Sequence, residues 1–129
     1  MQGNIDNEFD REWIIQWVSS RINDVDEAEL WVSRQHDSSR ITVTVRAASV
    51  LDLRIFDLMH RAFKFAKAYK AVRMIVDLGR THRIQDSGLA SLLLLKENLG
   101  EQIEKIRLIN AGHLKYDYLN CLPETFVIN

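Results

Sequence analysis

A strand, a polar connection and a helix follow one another in residues 72–99, and this unit constrains the fold more than any other part of the chain. Residues 71–78 are largely apolar and β-branched, which predicts a central strand covered on both faces. Asp86-Ser87-Gly88 then opens a leucine-rich segment that Gly100 terminates, so we predict a helix from Ser87 to Leu99. The connection between them should lie at the rim where parallel strands end, which is where sheets of this kind bind ligands and partners.

The rest of the chain alternates helices and strands, an order that favours a mixed sheet with helices packed on it. Residues 40–46, RITVTVR, alternate apolar and polar side chains and give the clearest strand. A strand-like segment from Leu30 to about Gln35 precedes it across a turn, which indicates a hairpin. The other predicted elements are a helix from Ser49 or Asp52 to about Tyr69, a strand at 106–109, a short helix from Gly112 to Leu119 or Asn120, and an edge strand at 126–128.

The first quarter of the chain holds all three tryptophans and an apolar pattern with steps of three and four residues. This spacing predicts a helix over residues 8–22, within an N-terminal extension (1–27) that precedes the main domain (28–129). Such a helix would cap the sheet or form a homodimer face. The side chains expected to be buried by it are Ile14, Trp17, Val18 and Ile22.

Length and composition are those of one ordinary globular domain. The chain has 129 residues, of which 47% are apolar and 27% charged. Its longest apolar run is far shorter than the ~20 residues of a membrane span, and no secretory signal is recognisable. With a single cysteine and no internal disulfide, a cytoplasmic location is expected.

Charge is distributed unevenly along the chain. Residues 1–37 hold nine acids and three arginines, whereas the remainder holds 14 bases and nine acids. A sequence pI near 6.4 argues against nucleic-acid binding. A run of bases without an intervening acid indicates a solvated helix face, or a docking stripe for an acidic partner or for the chain's own acidic N-terminal part. The run comprises Arg61, Lys64, Lys67, Lys70 and Arg73.

No constellation of catalytic residues is apparent. The four histidines are scattered, and none has a metal-ligand spacing with Cys121 or with another histidine. The chain lacks a glycine-rich phosphate loop and a nucleophile elbow around Ser87. Asp77 ends a strand as the phosphorylated aspartate of a receiver domain would, but the accompanying acidic pair and Lys-Pro are missing. We therefore predict a protein that is not an enzyme and holds no metal or cofactor.

Residues 28–129 resemble a STAS domain, the family of bacterial anti-sigma-factor antagonists. The resemblance rests on IVDL at 75–78, DSGL at 86–89, the LASLLLL helix and RLINAG at 107–112. It implies an α/β fold with a four- to five-stranded mixed sheet and helices packed on it. It also implies regulation by protein binding, in which phosphorylation of a Ser or Thr in the turn switches the complex.

The turn departs from the family pattern of Asp-Ser-X-Gly or Asp-Thr-X-Gly, because Gly88 follows Asp86-Ser87 directly. Alignment on the aspartate puts Ser87 at the phosphoacceptor position. Alignment on the glycine puts Asp86 there, so that a fixed negative charge replaces the phosphate, and it puts Gln85 at the aspartate position. Without the resemblance, Asp86 or Ser87 would be read only as the N-cap of a core helix.

The function implied is that of a switch that binds an anti-sigma factor or serine-kinase-type switch protein and releases it once Ser87 is phosphorylated. The alternative is a structural or scaffolding subunit of a larger signalling or transport complex, without phosphorylation. The expected partner-binding residues are Arg80, Arg83, Gln85, Asp86, Ser87, Gly88, Leu89 and Ser91.

Overall fold

The computed structural model describes residues 12–23, 26–36 and 38–129. Two α-helices, α1 (Phe56–Tyr69) and α2 (Asp86–Leu99), lie among eight strands in this part of the chain. The strands are β1 (Glu12–Asn23), β2 (Asp26–Gln35), β3 (Ile41–Arg46), β4 (Val50–Leu51), β5 (Arg73–Asp77), β6 (Arg83–Ile84), β7 (Ile106–Ile109) and β8 (Phe126–Ile128). A 3₁₀ turn (Leu53–Ile55) precedes α1, and the predicted helix after β7 is a 3₁₀ turn (Gly112–Leu114) followed by a π turn (Lys115–Leu119).

Six of these strands form one mixed sheet in the order β1-β2-β3-β5-β7-β8. The first three are antiparallel neighbours, and β3, β5, β7 and β8 run parallel. The mixed sheet with packed helices confirms the predicted fold class, although it has six strands rather than four or five. Because the parallel strands end on one side, the segments that follow β3 and β5 lie at the same rim.

A row of apolar side chains crosses the middle of the sheet and forms the base of the core. Leu30, Val45, Val76 and Leu108 are register partners on four neighbouring strands, and each is 0% exposed. The buried side of α1 packs on the same face, as the apolar stripe predicts, and α2 packs beside α1. The helices therefore cover the sheet face that carries this row.

The helix predicted over residues 8–22 is wrong, because residues 12–23 form strand β1, which pairs with β2 along its length. The register shifts between Ile14 and Gln16, so a bulge places Ile14 and Trp17 on the same sheet face although they are three residues apart. That spacing imitates the repeat of a helix. Ile14 and Trp17 are also exposed rather than buried, and Val18 is the one described side chain of the predicted set that packs against the core.

Other parts of the N-terminal prediction lie outside the described residues, namely residues 8–11 and the side chain of Ile22. Residues 12–23 and 26–27 belong to the same sheet as the main domain.

Candidate functional site

The connection between β5 and α2 is attached to the segment after β3 by main-chain hydrogen bonds. His82 N donates to the Ser49 carbonyl at 2.9 Å, and Gln85 N donates to the Leu51 carbonyl at 2.9 Å. Between them, β6 pairs in parallel with β4. The buried Thr81 hydroxyl donates to the Ala48 carbonyl at 2.7 Å. These bonds fix the path of the chain from the end of β5 to the start of α2.

A group of charged side chains lies near the start of this connection, on the sheet face opposite the apolar row. Arg46 contacts Glu29 at 3.1 Å and Asp77 at 3.6 Å, and Arg80 reaches the same Glu29 carboxylate at 3.5 Å. Asp77 also accepts hydrogen bonds from Gly79 N at 2.9 Å and from the Asn110 side chain at 3.1 Å. Asp77 therefore ties the ends of three strands together, which is a structural task.

Gln85 is the N-cap of α2, and neither Asp86 nor Ser87 caps it. Gln85 is extended and makes no side-chain cap bond, while Asp86 and Ser87 are the first two helical residues. The first N–H groups of a helix lack intrahelical acceptors and favour negative charge. Asp86 in the first turn fits this preference, and the partly exposed Ser87 follows it.

Position 88 requires a glycine because α2 and β4 approach each other closely there. A Cβ atom at this position would lie 2.2 Å from the Leu51 carbonyl oxygen, which is main chain and has no rotamer to change. The glycine therefore has a packing role that the sequence pattern alone does not reveal.

An open apolar depression of about 200 Å³ lies beside Ser87. Its lining includes Leu53, Phe56, Ala90 and Leu94, and Leu53 is 68% exposed. The sequence interpretation missed Leu53 and Phe56 because they fall outside the stripe that buries α1. The signal that could have indicated this depression is the presence of apolar residues outside the buried stripe.

The predicted partner-binding residues divide by exposure. Arg80, Arg83, Gln85 and Asp86 are exposed, and Ser87 and Leu89 are half-buried. Gly88 and Ser91 are buried, so neither presents a free side-chain surface. The Ser91 hydroxyl is used internally and donates to the Ser87 carbonyl at 3.0 Å.

The basic run divides in a similar way. Arg61, Lys64, Lys67 and Lys70 are exposed on α1 and just after it, but Arg73 is half-buried in β5 and donates to the Thr42 hydroxyl at 3.1 Å. Arg73 therefore belongs to the sheet and not to the exposed stripe.

One carboxylate near the depression has a perturbed pKa. Hydrogen bonds from the Arg54 side chain hold the pKa of Asp52 below its ordinary value of 3.8. Asp52 also accepts from Arg54 N at 3.0 Å and so caps the 3₁₀ turn that carries Leu53.

Neither family models nor curated proteins match this sequence. Among solved structures, the chain is similar to an uncharacterized protein of the DUF3478 family with a SpoIIAA-like fold from Shewanella loihica PV-4. The TM-score is 0.58 at 14% identity, over 85% of this chain and 91% of that one. The protein therefore has a SpoIIAA-like fold.

Two features are absent from the described residues. No helix there is long and apolar enough to cross a membrane. No group of three His, Cys, Asp or Glu residues there is arranged to hold a metal ion.

Proposed function

We propose that this chain is a cytoplasmic, non-enzymatic regulator of the anti-sigma-factor antagonist type, which binds a serine-kinase-type switch protein. The observation that carries the proposal is the position of Ser87, a partly exposed hydroxyl at the start of α2 and on the wall of the apolar depression. The SpoIIAA-like fold and the DSGL turn support it.

The proposed docking surface combines the depression with its polar border. Leu53, Phe56 and Leu94 offer exposed apolar area, and a partner side chain inserted there would be removed from water. The exposed Arg83 lies on β6, next to α2 in sequence, and can steer an acidic group of the partner. Rim charges of this kind act on association rate and respond to salt.

A phosphate on Ser87 would act on the partner more than on the fold. It would lie at a helix N-terminus, where free N–H groups and the helix dipole favour an anion. Its charge of about −2 would also lie on the wall of an apolar contact, where docking would have to desolvate it. We expect phosphorylation to weaken binding by on the order of 1–3 kcal/mol, which is about five- to 150-fold.

The test is affinity capture from cells that contain this protein, with the wild-type chain, Ser87→Ala and Ser87→Asp as baits. We expect Ser87→Ala to retain a serine-kinase-type protein and Ser87→Asp to lose it. Purified kinase and ATP should then phosphorylate the wild-type chain at Ser87, located by mass spectrometry. A phosphate found on another residue contradicts the assignment of the site.

Two matched controls separate this surface from general effects. Ser39→Asp adds the same charge at an exposed position in the β2–β3 connection and should not affect capture. Leu53→Lys changes the depression without touching Ser87 and should reduce capture. Equal capture by all the variants would refute the docking surface.

A scaffolding role without phosphorylation is the second candidate, and Gly88 favours it. Because packing against Leu51 fixes Gly88, alignment on the glycine puts the Asp86 carboxylate at the acceptor position. Such a protein would carry a permanent charge there. Equal capture by Ser87→Ala and Ser87→Asp, loss of capture by Leu53→Lys and no phosphate on protein isolated from cells would select this candidate.

A further inference from the structure

Strand β1 exposes large apolar side chains on both faces of the sheet, with Ile14 and Trp17 on one face and Trp13 on the other. Trp13 is 50% exposed, Ile14 41%, Ile15 44% and Trp17 52%. All four lie within residues 13–17 of one strand, so they flank the same stretch of its outer edge. Exposed apolar area concentrated in this way commonly marks an interaction site.

The same strand is an edge of the sheet. In the strand order β1 is terminal and has β2 as its neighbour, so the outer N–H and C=O groups of a 12-residue strand face away from the sheet. Natural edges are usually protected by charged residues or proline. Residues 13–20, WIIQWVSS, contain neither. The bulge near Ile15 interrupts one end, and pairing with β2 is regular over residues 16–21.

We propose that β1 is a homodimerisation edge, at which a second copy of this chain pairs its own β1 in antiparallel orientation. A two-fold axis places a surface patch against the same patch of the second copy, so like charges in the patch would repel each other. Residues 13–20 are uncharged, so two copies of this stretch can pair without such repulsion. The basic stripe on α1 would place like charges together, which opposes a two-fold contact there. This inference does not depend on the proposed function.

The side chains at this edge are already ordered by contacts within their own copy. Trp17 packs on Trp31 with ring centroids 5.6 Å apart. Trp13 lies 4.7 Å from the His36 ring and 4.7 Å from the Arg34 guanidinium carbon. Rings held in this way lose little conformational freedom on association, which favours binding.

The area available suits a reversible dimer. A 12-residue strand is about 40 Å long, and a sheet with its side chains is about 10 Å thick, so the edge offers about 400 Å². The exposed halves of two tryptophans add about 200 Å². Two copies would bury about 1,200 Å², the lower limit for stable specific interfaces. We therefore expect a dimer that dissociates on dilution.

The test is sedimentation analysis of the full chain over about a hundredfold range of concentration. We expect the mass to rise toward twice the 15.0 kDa of one chain. Ile15→Lys puts a charge on the edge at a half-exposed position and should keep the chain monomeric. Leu53→Lys, an equivalent change at an exposed leucine outside β1, should leave the dimer intact.

Hydrogen exchange of the wild-type chain provides a readout that needs no variant. Amides of residues 16–21 that face outward should exchange more slowly at high than at low concentration. A monomer at every concentration would overturn the proposal, as would a dimer that survives Ile15→Lys and dissociates with Leu53→Lys. Open-ended oligomers would also overturn it, because antiparallel pairing of β1 with β1 closes.

Discussion

Replacing Gly88 with alanine should destabilise the protein even though alanine is the better helix former. The added Cβ would lie 2.2 Å from the Leu51 carbonyl oxygen and 2.7 Å from its carbonyl carbon, against at least 3.4 Å for an ordinary contact. The start of α2 must therefore move about 1 Å away from β4, since the two nearest clashing atoms belong to the main chain.

The magnitude follows from three contributions. Forcing extra volume into a packed contact costs about 1–3 kcal/mol. Weakening the 2.9 Å hydrogen bond from Gln85 N to the Leu51 carbonyl costs about 0.5–1.5 kcal/mol. The higher helix propensity of alanine returns about 1 kcal/mol. We expect a net loss of about 2 kcal/mol, which lowers the Tm of a chain of this size by about 8 °C.

Urea denaturation followed by circular dichroism measures this loss as a lower midpoint with an unchanged slope. Gly112→Ala is the matched control, because a Cβ there meets no atom within 4 Å, and it should be nearly neutral. A Gly88→Ala protein as stable as the Gly112→Ala protein would show that α2 does not approach β4 as closely as described, and the argument would fail.

Three further substitutions test backbone strain, capping and a buried hydroxyl. Gly100→Ala should lower the free energy of unfolding by about 1–3 kcal/mol in a thermal melt. Gly100 has φ of 57° and ψ of −131°, and an added Cβ would meet no atom within 4 Å, so the cost would come from backbone strain alone. A neutral result would contradict this strain. Asp52→Ala should cost about 0.5–2 kcal/mol at pH 7 through loss of the cap. The pKa of Asp52 in the folded protein is below 3.8, so its contribution to the free energy of unfolding is present above that pH and declines as pH falls through the folded value. The difference in stability between wild type and Asp52→Ala should therefore shrink below about pH 4. A difference that stays constant with pH would refute this. Thr81→Val should cost about 1–3 kcal/mol in urea, because the Ala48 carbonyl loses its 2.7 Å donor in a buried site, and an unchanged midpoint would refute that role.

The sequence was sufficient for elements whose side chains repeat with a regular period. The alternation in 40–46 and the apolar run at 71–78 identify β3 and β5 because strands of these types bury predictable faces. The apolar stripe of α1 and the glycine after α2 mark those helices for the same reason. Local patterns of this kind survive into the folded protein whenever one face meets the core.

Features that depend on distant contacts could not be predicted in this way. The bulge in β1 changed the apparent period from two to three, so the pattern suggested a helix. β4 and β6 have two residues each, too few for a periodicity to appear. The roles of Gln85 and Gly88 at the start of α2 arise from Leu51, more than 30 residues earlier, whose main chain bonds one and closely approaches the other.

The attachment of the 82–85 connection through its main chain leaves the side chains of His82, Arg83 and Gln85 free to vary, while Ile84 is buried in the core. His82 and Gln85 are anchored by their backbone N–H groups, and Arg83 by strand pairing, while all three side chains are exposed. Any residue other than proline could make the two N–H bonds at positions 82 and 85. The surface chemistry of this loop can therefore be rewritten at little cost in stability, so partner preference and fold can change independently of each other.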